Sequence, residues 1–189
     1  MRLETERLIL RCPQRGDGPA LRAAEHETLD ELRPWMVWAH TPRDADEAEA
    51  YCRRMHAKFL LREDLVWFVH ERGDDGGEAR FVAAVGLHRM EWNVRRFEIG
   101  YWRRAGCGGR GYVTEAANAL TRLAFDVLDA RRVELRMDDA NVPSWRVAER
   151  CGFTLEALLR GDTLTPAGAV RSTRIYARVR GIEEPVFTG

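Results

Sequence analysis

Four glycines lie close together in the middle of the chain, between a strand-like run and a helix-like run. They are Gly106, Gly108, Gly109 and Gly111. Glycine lets backbone N–H groups turn toward one point without Cβ clashes, and a helix N-terminus adds unpaired N–H donors and partial positive charge. The order strand, glycine loop, helix therefore predicts a site for a phosphate or pyrophosphate. The alternative is a tight turn that only joins the two elements.

Two well-known phosphate motifs are missing from the sequence. There is no G-x-x-x-x-G-K-[ST], and no early G-x-G-x-x-G followed by an acidic residue about 20 positions later. The sequence thus argues against a P-loop and against a Rossmann dinucleotide site. The 30 basic and 30 acidic residues balance, whereas a nucleic-acid-binding protein usually carries a basic excess. We expect no nucleic-acid partner.

The composition also indicates the cellular compartment. The N-terminal residues alternate in charge and lack the apolar core of a signal peptide. The longest apolar stretch, Phe81–Leu87, is too short to cross a membrane. The four cysteines are scattered and the five histidines show no metal-ligand spacing, so we predict reduced thiols and no metal site. These features predict a cytoplasmic protein without a membrane partner.

Hydrophobic periodicity and turn residues predict a single mixed α/β domain over residues 1–189. Predicted helices cover Ala20–Leu32, Asp44–Leu61, Tyr112–Leu128 and Val142–Cys151. Predicted strands cover Arg7–Arg11, Leu65–His70, Arg80–His88, Arg95–Arg103, Arg132–Met137, Phe153–Leu159 and Val170–Val179. The order places helices within a mostly antiparallel sheet, with a crossover after the glycine loop.

Seven segments follow, in order, the pattern of one protein family. They are Thr5–Arg11, Leu32–Ala39, Phe97–Trp102, Gly109–Ala116, Arg132–Arg136, Asn141–Ser144 and Ala148–Phe153. Together they make nearly the whole chain resemble the GNAT-fold acetyltransferases, in the branch of the ribosomal-protein N-terminal acetyltransferases (RimJ/RimL type). The coenzyme loop of that family often reads Q/R-x-x-G-x-G/A. Here Gly106 takes the first position, so binding would depend on backbone N–H groups with less side-chain help.

The resemblance implies a fold and a reaction. The fold would be a GNAT-like α/β domain with a mixed, mostly antiparallel sheet flanked by helices and with splayed central strands. The reaction would move an acetyl group from acetyl-CoA to a primary amine by direct attack, with both substrates bound. A protein N-terminus is the leading acceptor, and polyamines, aminoglycosides and peptide antibiotics are alternatives. The resemblance also suggests a homodimer. A non-catalytic acyl-CoA-binding domain ranks below the enzyme.

The predicted coenzyme site combines the strand, the glycine loop and a later helix. The loop N–H groups would hold the pyrophosphate, with Arg103, Arg104 and Arg110 adding charge-assisted contacts or forming a solvated rim. A backbone N–H near Ile99 to Tyr101 would stabilise the oxyanion. The predicted coenzyme-binding residues are Ile99, Tyr101, Trp102, Arg103, Gly106, Cys107, Gly108, Gly109, Arg110, Gly111, Tyr112, Asn141 and Ser144.

Two residues are the predicted catalytic groups. Glu98 is the candidate base, directly or through a water, because an amine is mostly protonated at neutral pH. Its alternative role is a salt bridge to Arg96 or Arg103. Ser144 is the candidate acid for the leaving thiolate, and Asn141 would hydrogen-bond the pantetheine amide. Plain helix capping is the alternative for both residues. Many GNAT relatives use a tyrosine as the acid, and no tyrosine falls in this helix.

Aromatic residues are the candidates for the acceptor side. Trp35 and Trp38, in a loop beside Pro34, can cover an apolar or cationic acceptor, and Glu98 would also face the acceptor. Core packing is favoured for Trp67. His40 is the histidine nearest to the predicted acceptor loop. The acidic cluster Asp44–Glu49 would either attract a cationic acceptor or serve the start of a helix.

Overall fold

The computed structural model describes residues 1–184, in which eight strands form one open sheet with four helices packed on it. The helices are α1 Gly18–Leu32, α2 Ala45–Leu61, α3 Tyr112–Asp126 and α4 Val142–Arg150. The strands are β1 Arg2–Glu4, β2 Leu8–Arg11, β3 Leu65–Arg72, β4 Glu78–Glu91, β5 Arg96–Arg103, β6 Arg132–Asp138, β7 Thr154–Leu164 and β8 Val170–Val179. No helix within these residues has the length and apolar character needed to span a membrane.

The sheet has the order β1-β2-β3-β4-β5-β6-β8-β7. Every neighbouring pair is antiparallel except β5 and β6, which are parallel because α3 carries the chain across between them. One face of the sheet buries a core against α3, in which Trp67 is fully buried and meets Phe59 edge-on. The other face packs against α1 and α2. The predicted fold class is confirmed, and Trp67 is a core residue.

The parallel strands β5 and β6 separate part-way along their length. They pair only at three positions, the last of which is Glu98 opposite Glu134. β5 nevertheless continues to Arg103 and β6 to Asp138. On its other side β5 pairs with β4 up to Arg103. The predicted splay of the central strands is confirmed, and it leaves one backbone edge of β5 without a strand partner.

The acidic cluster Asp44–Glu49, at the start of α2, stabilises the N-termini of two helices. The Asp44 carboxylate accepts the N–H of Glu47, and the Glu47 carboxylate accepts the N–H of Asp44, which forms a capping box. The Glu49 carboxylate accepts the N–H groups of Gly16 and Gly18 where α1 begins. The helix-start interpretation of this cluster is confirmed.

Several element ends differ from the sequence prediction. The three-residue edge strand β1 was not predicted, because charges flank its one inward residue, Leu3. A 3-10 helix over Val37–His40 was also missed. β4 is longer than predicted at both ends, and β7 extends to Leu164. α1 begins two residues earlier than predicted, and Asp17, at its N-cap, binds Arg11 with its side chain.

Candidate active site

A deep cleft of about 960 Å³ opens where β5 and β6 separate. The unpaired stretch of β5 lines it, together with the glycine loop, the start of α3, the start of α4 and the second half of β6. Residues from α1, α2 and the loop between them complete the opposite wall. Elements that are far apart in sequence therefore line one cleft, together with the unpaired edge of β5.

The glycine loop brings its second half to the cleft. Gly109 and Gly111 have φ of +74° and +79°, a region that L side chains rarely adopt, and Gly111 is the N-cap of α3. A Cβ on Gly108 would lie 3.0 Å from the guanidinium carbon of Arg103. These three glycines and the buried Cys107 line the cleft. The loop thus presents the first N–H groups of α3 to the cavity.

Two predicted coenzyme-binding residues do not line the cleft. They are Gly106, where a Cβ would lie 3.9 Å from Nη2 of Arg80, and Arg110, whose Nη1 lies 3.5 Å from the Glu71 carboxylate. Arg104 is held by Glu27, also away from the cavity. Of the three loop arginines, Arg103 lines the cleft, where it forms an ion pair with Glu31 at 2.6 Å.

The start of α4 joins β5 through a tyrosine. Asn141 is the N-cap, and its Oδ1 accepts the N–H of Ser144 at 3.3 Å. The Tyr101 hydroxyl donates to the Ser144 carbonyl at 2.9 Å and lies 3.3 Å from Ser144 Oγ. Burial raises the pKa of Tyr101, so its phenol stays protonated. Capping thus describes Asn141, and the Ser144 hydroxyl lies in the cleft beside a second hydroxyl.

Glu98 is a largely buried carboxyl group in the cleft. Its Oε2 has no hydrogen bond, and Nη1 of Arg89 lies 3.3 Å away without hydrogen-bond geometry. Burial raises the pKa of Glu98; the adjacent Glu134 also raises it, while Arg89 opposes the shift. A carboxylate with increased proton affinity is a better base toward an amine. The predicted salt bridges to Arg96 and Arg103 do not form.

The tryptophan loop forms the wall opposite the glycine loop. Trp35 and Trp38 both line the cleft, and the Trp38 ring meets Trp102 edge-on at 5.8 Å between centroids. His40 does not line the cleft; its Nε2 lies 3.0 Å from the Arg33 carbonyl. The structure therefore brings the two predicted tryptophans to the site and leaves the histidine outside it.

A buried ion pair that the sequence analysis missed lies beside this wall. The Glu25 carboxylate is 2% exposed and binds Arg43, whose guanidinium lies 4.2 Å from the Tyr51 ring centroid. Glu25, Arg43 and Tyr51 all line the cleft, and Glu25 Oε2 has no partner. The residues Asp44–Glu49 do not line the cleft, and the acidic residues of this wall are Glu25 and Glu31 of α1. No sequence motif marks the pair of Glu25 and Arg43.

Comparison with known families now identifies the fold. A family model described as "Acetyltransferase (GNAT) domain" matches residues 7–154. This chain belongs to the GNAT acetyltransferases. The family and the enzyme class that the sequence predicts are confirmed.

Two individual relatives also carry the names of acetyltransferases. YdaF of Bacillus subtilis, whose name assigns it provisionally to the ribosomal N-acetyltransferases, is 25% identical over 158 residues, or 82% of each chain. The ribosomal-protein-serine acetyltransferase of Escherichia coli is 28% identical over 102 residues, covering 54% of this chain and 56% of that protein.

Solved structures share the fold along almost the whole chain. The ribosomal L7/L12 alpha-N-protein acetyltransferase RimL, in complex with coenzyme A, superposes with a TM-score of 0.84 at 20% identity, covering 95% of this chain and 98% of that one. The microcin C7 self immunity acetyltransferase MccE, in complex with acetyl-CoA and AMP, also gives 0.84, at 21% identity, covering 93% and 94%. GNAT structures with this fold thus hold the predicted acetyl donor.

The burial of Glu98 predicts a stability cost that depends on pH. The pKa of Glu98 is higher in the folded state than in the unfolded chain. The ionised carboxylate therefore lowers the free energy of unfolding; this loss is absent below the unfolded-state pKa and appears as the pH rises through the folded-state pKa. Glu98→Gln should therefore raise Tm at pH 7.5. This gain should shrink as the pH falls toward about 4, the ordinary pKa of a glutamate carboxyl. Thermal unfolding at both pH values measures it.

The matched control is Glu91→Gln, on the neighbouring strand, where the carboxylate is exposed and paired with Arg96. It should give no gain at either pH. A Glu98→Gln gain that persisted at acidic pH would contradict the electrostatic explanation.

Proposed function

We propose that this protein transfers the acetyl group of acetyl-CoA to the N-terminal amine of a protein or peptide, by direct attack with both substrates bound. The observation that carries the proposal is the unpaired edge of β5, which has the glycine loop at one end and the buried Glu98 at the other. One cleft thus offers an anion site, free backbone donors and a base.

The donor side fits a coenzyme with a pyrophosphate and an extended amide-containing arm. Gly108, Gly109 and Gly111 line the cleft at the N-terminus of α3, and helix N-termini favour anions. The backbone of β5 beyond Glu98 is free to pair with an extended chain, as a missing strand would. Arg103 lines the same end of the cleft, where its guanidinium is paired with Glu31.

The catalytic side divides the proton transfers between two residues. Glu98 takes a proton from the acceptor nitrogen, directly or through a water, and its raised pKa suits that role. A backbone N–H of β5 stabilises the negative charge that develops on the carbonyl oxygen. Ser144 gives its proton to the departing sulfur and regains one from solvent, and the Tyr101 hydroxyl lies 3.3 Å from Ser144 Oγ.

The acceptor class rests on the relatives and on the open wall of the cleft. YdaF and the Escherichia coli enzyme carry names of ribosomal-protein acetyltransferases, which favours a protein amine. The buried Glu25 beside Trp38 and Tyr51 favours a small cationic amine as the second candidate, because carboxylates and aromatic faces both attract cations. Arg43 offsets much of that charge, so the protein amine remains first.

The proposal predicts thiol release from acetyl-CoA that depends on the acceptor. Peptides beginning with Ser or Ala should support turnover, ahead of spermidine and an aminoglycoside. Glu98→Gln and Ser144→Ala should each lower kcat by about 10²-fold or more, because acid–base groups contribute about that much. Titration calorimetry should show that both variants still bind acetyl-CoA.

The control variants are Glu91→Gln and Ser172→Ala, which alter the same residue types outside the cleft lining. Both should keep parental activity. Tight acetyl-CoA binding without turnover on any amine would contradict the transferase proposal, and a lack of binding would contradict the role of the glycine loop.

We also propose that the protein acts in the cytoplasm.

We propose further that a second copy of the chain packs against β7. β7 is the edge strand of the sheet, and its exposed side chains include Leu155, Leu158 and Leu164. An apolar edge strand is a ready site for association. Size-exclusion chromatography with light scattering should give twice the chain mass, and Leu158→Asp with Leu164→Asp should halve it. A monomeric parent would contradict the dimer.

A further inference from the structure

His88, one of the five histidines without metal-ligand spacing, lies across two glycines on the floor of the cleft. His88 on β4 is directly opposite Glu98, and Gly86 is opposite Gly100. A Cβ on Gly86 would lie 2.7 Å from His88 Nε2, and one on Gly100 would lie 2.9 Å from His88 Cδ2. The imidazole therefore occupies space that any side chain at these two positions would fill.

Asp64, in the loop before β3, fixes the orientation of this ring. Its Oδ1 lies 2.6 Å from His88 Nδ1. Because the carboxylate accepts the Nδ1–H, the neutral ring carries its lone pair on Nε2. Nε2 has no hydrogen-bond partner among residues 1–184, and His88 lines the cleft with its side chain 36% exposed. A basic nitrogen is thus open to the cavity.

The position of the ring relates it to the reacting end of the cleft. Gly100, beneath the imidazole, lies just beyond the last pairing of β5 with β6. It belongs to the strand edge on which the proposed function places the thioester. Glu98 lies on the same strand, across from His88, and opposite residues in antiparallel strands have Cβ atoms about 5 Å apart. Two proton acceptors therefore flank one substrate position.

The acceptor nitrogen loses two protons in the reaction. An ammonium acceptor and a thioester give an amide, a thiol and one free proton, so the nitrogen loses two protons while the sulfur gains one. We propose that His88, held by Asp64, takes the first proton from the acceptor ammonium through Nε2 and releases it to solvent. Glu98 then takes the second proton as the C–N bond forms and the C–S bond breaks. This inference rests on the proposed function.

Charged groups from several elements surround this pair of bases. Asp64 contacts His88 from the loop before β3, and Glu98 faces it from β5. The further charges that act on Glu98 are those of Arg89, Glu134 and Arg136. Asp64 is a positioning residue, because it acts through the ring and does not itself line the cleft.

The test is the pH profile of kcat/KM on an N-terminal peptide with acetyl-CoA. His88→Gln should lower kcat/KM by about 10²-fold at pH 7. The deficit should shrink as pH rises past the α-amine pKa of about 8, because the peptide then arrives already neutral. Glu98→Gln should show a deficit that does not shrink. Acetyl-CoA affinity should match the parent.

Asp64→Asn supplies an independent variant that leaves the ring in place. It should lower kcat/KM less than His88→Gln, and the double variant should be no slower than His88→Gln alone, as expected for residues that act as one unit. His56→Gln is the matched control, since His56 hydrogen-bonds the Pro13 carbonyl at 2.8 Å outside the cleft lining.

The outcomes separate this inference from the function on which it rests. A parent without turnover on any amine would overturn the proposed function and the proton transfer with it. An active parent with an unaffected His88→Gln variant would overturn the His88 role alone. A His88→Gln deficit that stays constant with pH, or a double variant that loses activity additively, would show that the ring only packs the cleft and would also overturn the role.

Discussion

The divergence of β5 from β6 after Glu98 is the constraint on which the rest of the site depends. A buried strand edge without a partner leaves backbone N–H and C=O groups unsatisfied, which is costly. The structure keeps this edge open to a large cleft and surrounds it with the two helices that follow β5 and β6 in sequence. A ligand that supplies the missing pairing gains affinity from the backbone itself. The glycine loop and the Ser144 helix are placed by the same divergence.

Local features support the divergence at a cost in stability. Glu98, the last residue of β5 to pair with β6, is a buried carboxyl group with a raised pKa. Arg89, whose guanidinium lies 3.3 Å from the Glu98 carboxylate, has a positive φ of 45° at an irregularity in the pairing of β4 with β5. Non-glycine residues rarely adopt that conformation, and bulges often lie next to active sites. The sheet thus tolerates strain and buried charge where the chemistry is proposed.

Contacts that are local in sequence could be predicted, and contacts between distant elements could not. The glycine loop, the start of α3 and the Asn141 cap lie within short segments, so composition and spacing revealed them. The sequence did not predict three side-chain contacts, which join Tyr101 with Ser144, Asp64 with His88, and Glu25 with Arg43. Each joins different elements, and their members are 43, 24 and 18 positions apart. A single sequence carries no signal that relates such positions.

The loop also shows the limit of reading a contiguous motif. Gly106 and Arg110 belong to the same short run as Gly108 and Gly109, yet they do not line the cleft. Spacing alone does not say which side of a turn faces a cavity, because that depends on the φ of each glycine. Single-domain organisation over residues 1–189 stays a prediction.

The most direct test of this account is amide hydrogen exchange along β5 with and without coenzyme A. The account predicts that coenzyme A slows exchange in residues 99–103 and in the loop and helix start at 106–114. Residues 96–98, which already pair with both neighbouring strands, should change little. Protection confined to other segments, with none in residues 99–103 despite measurable binding, would contradict the claim that the open edge of β5 holds the donor.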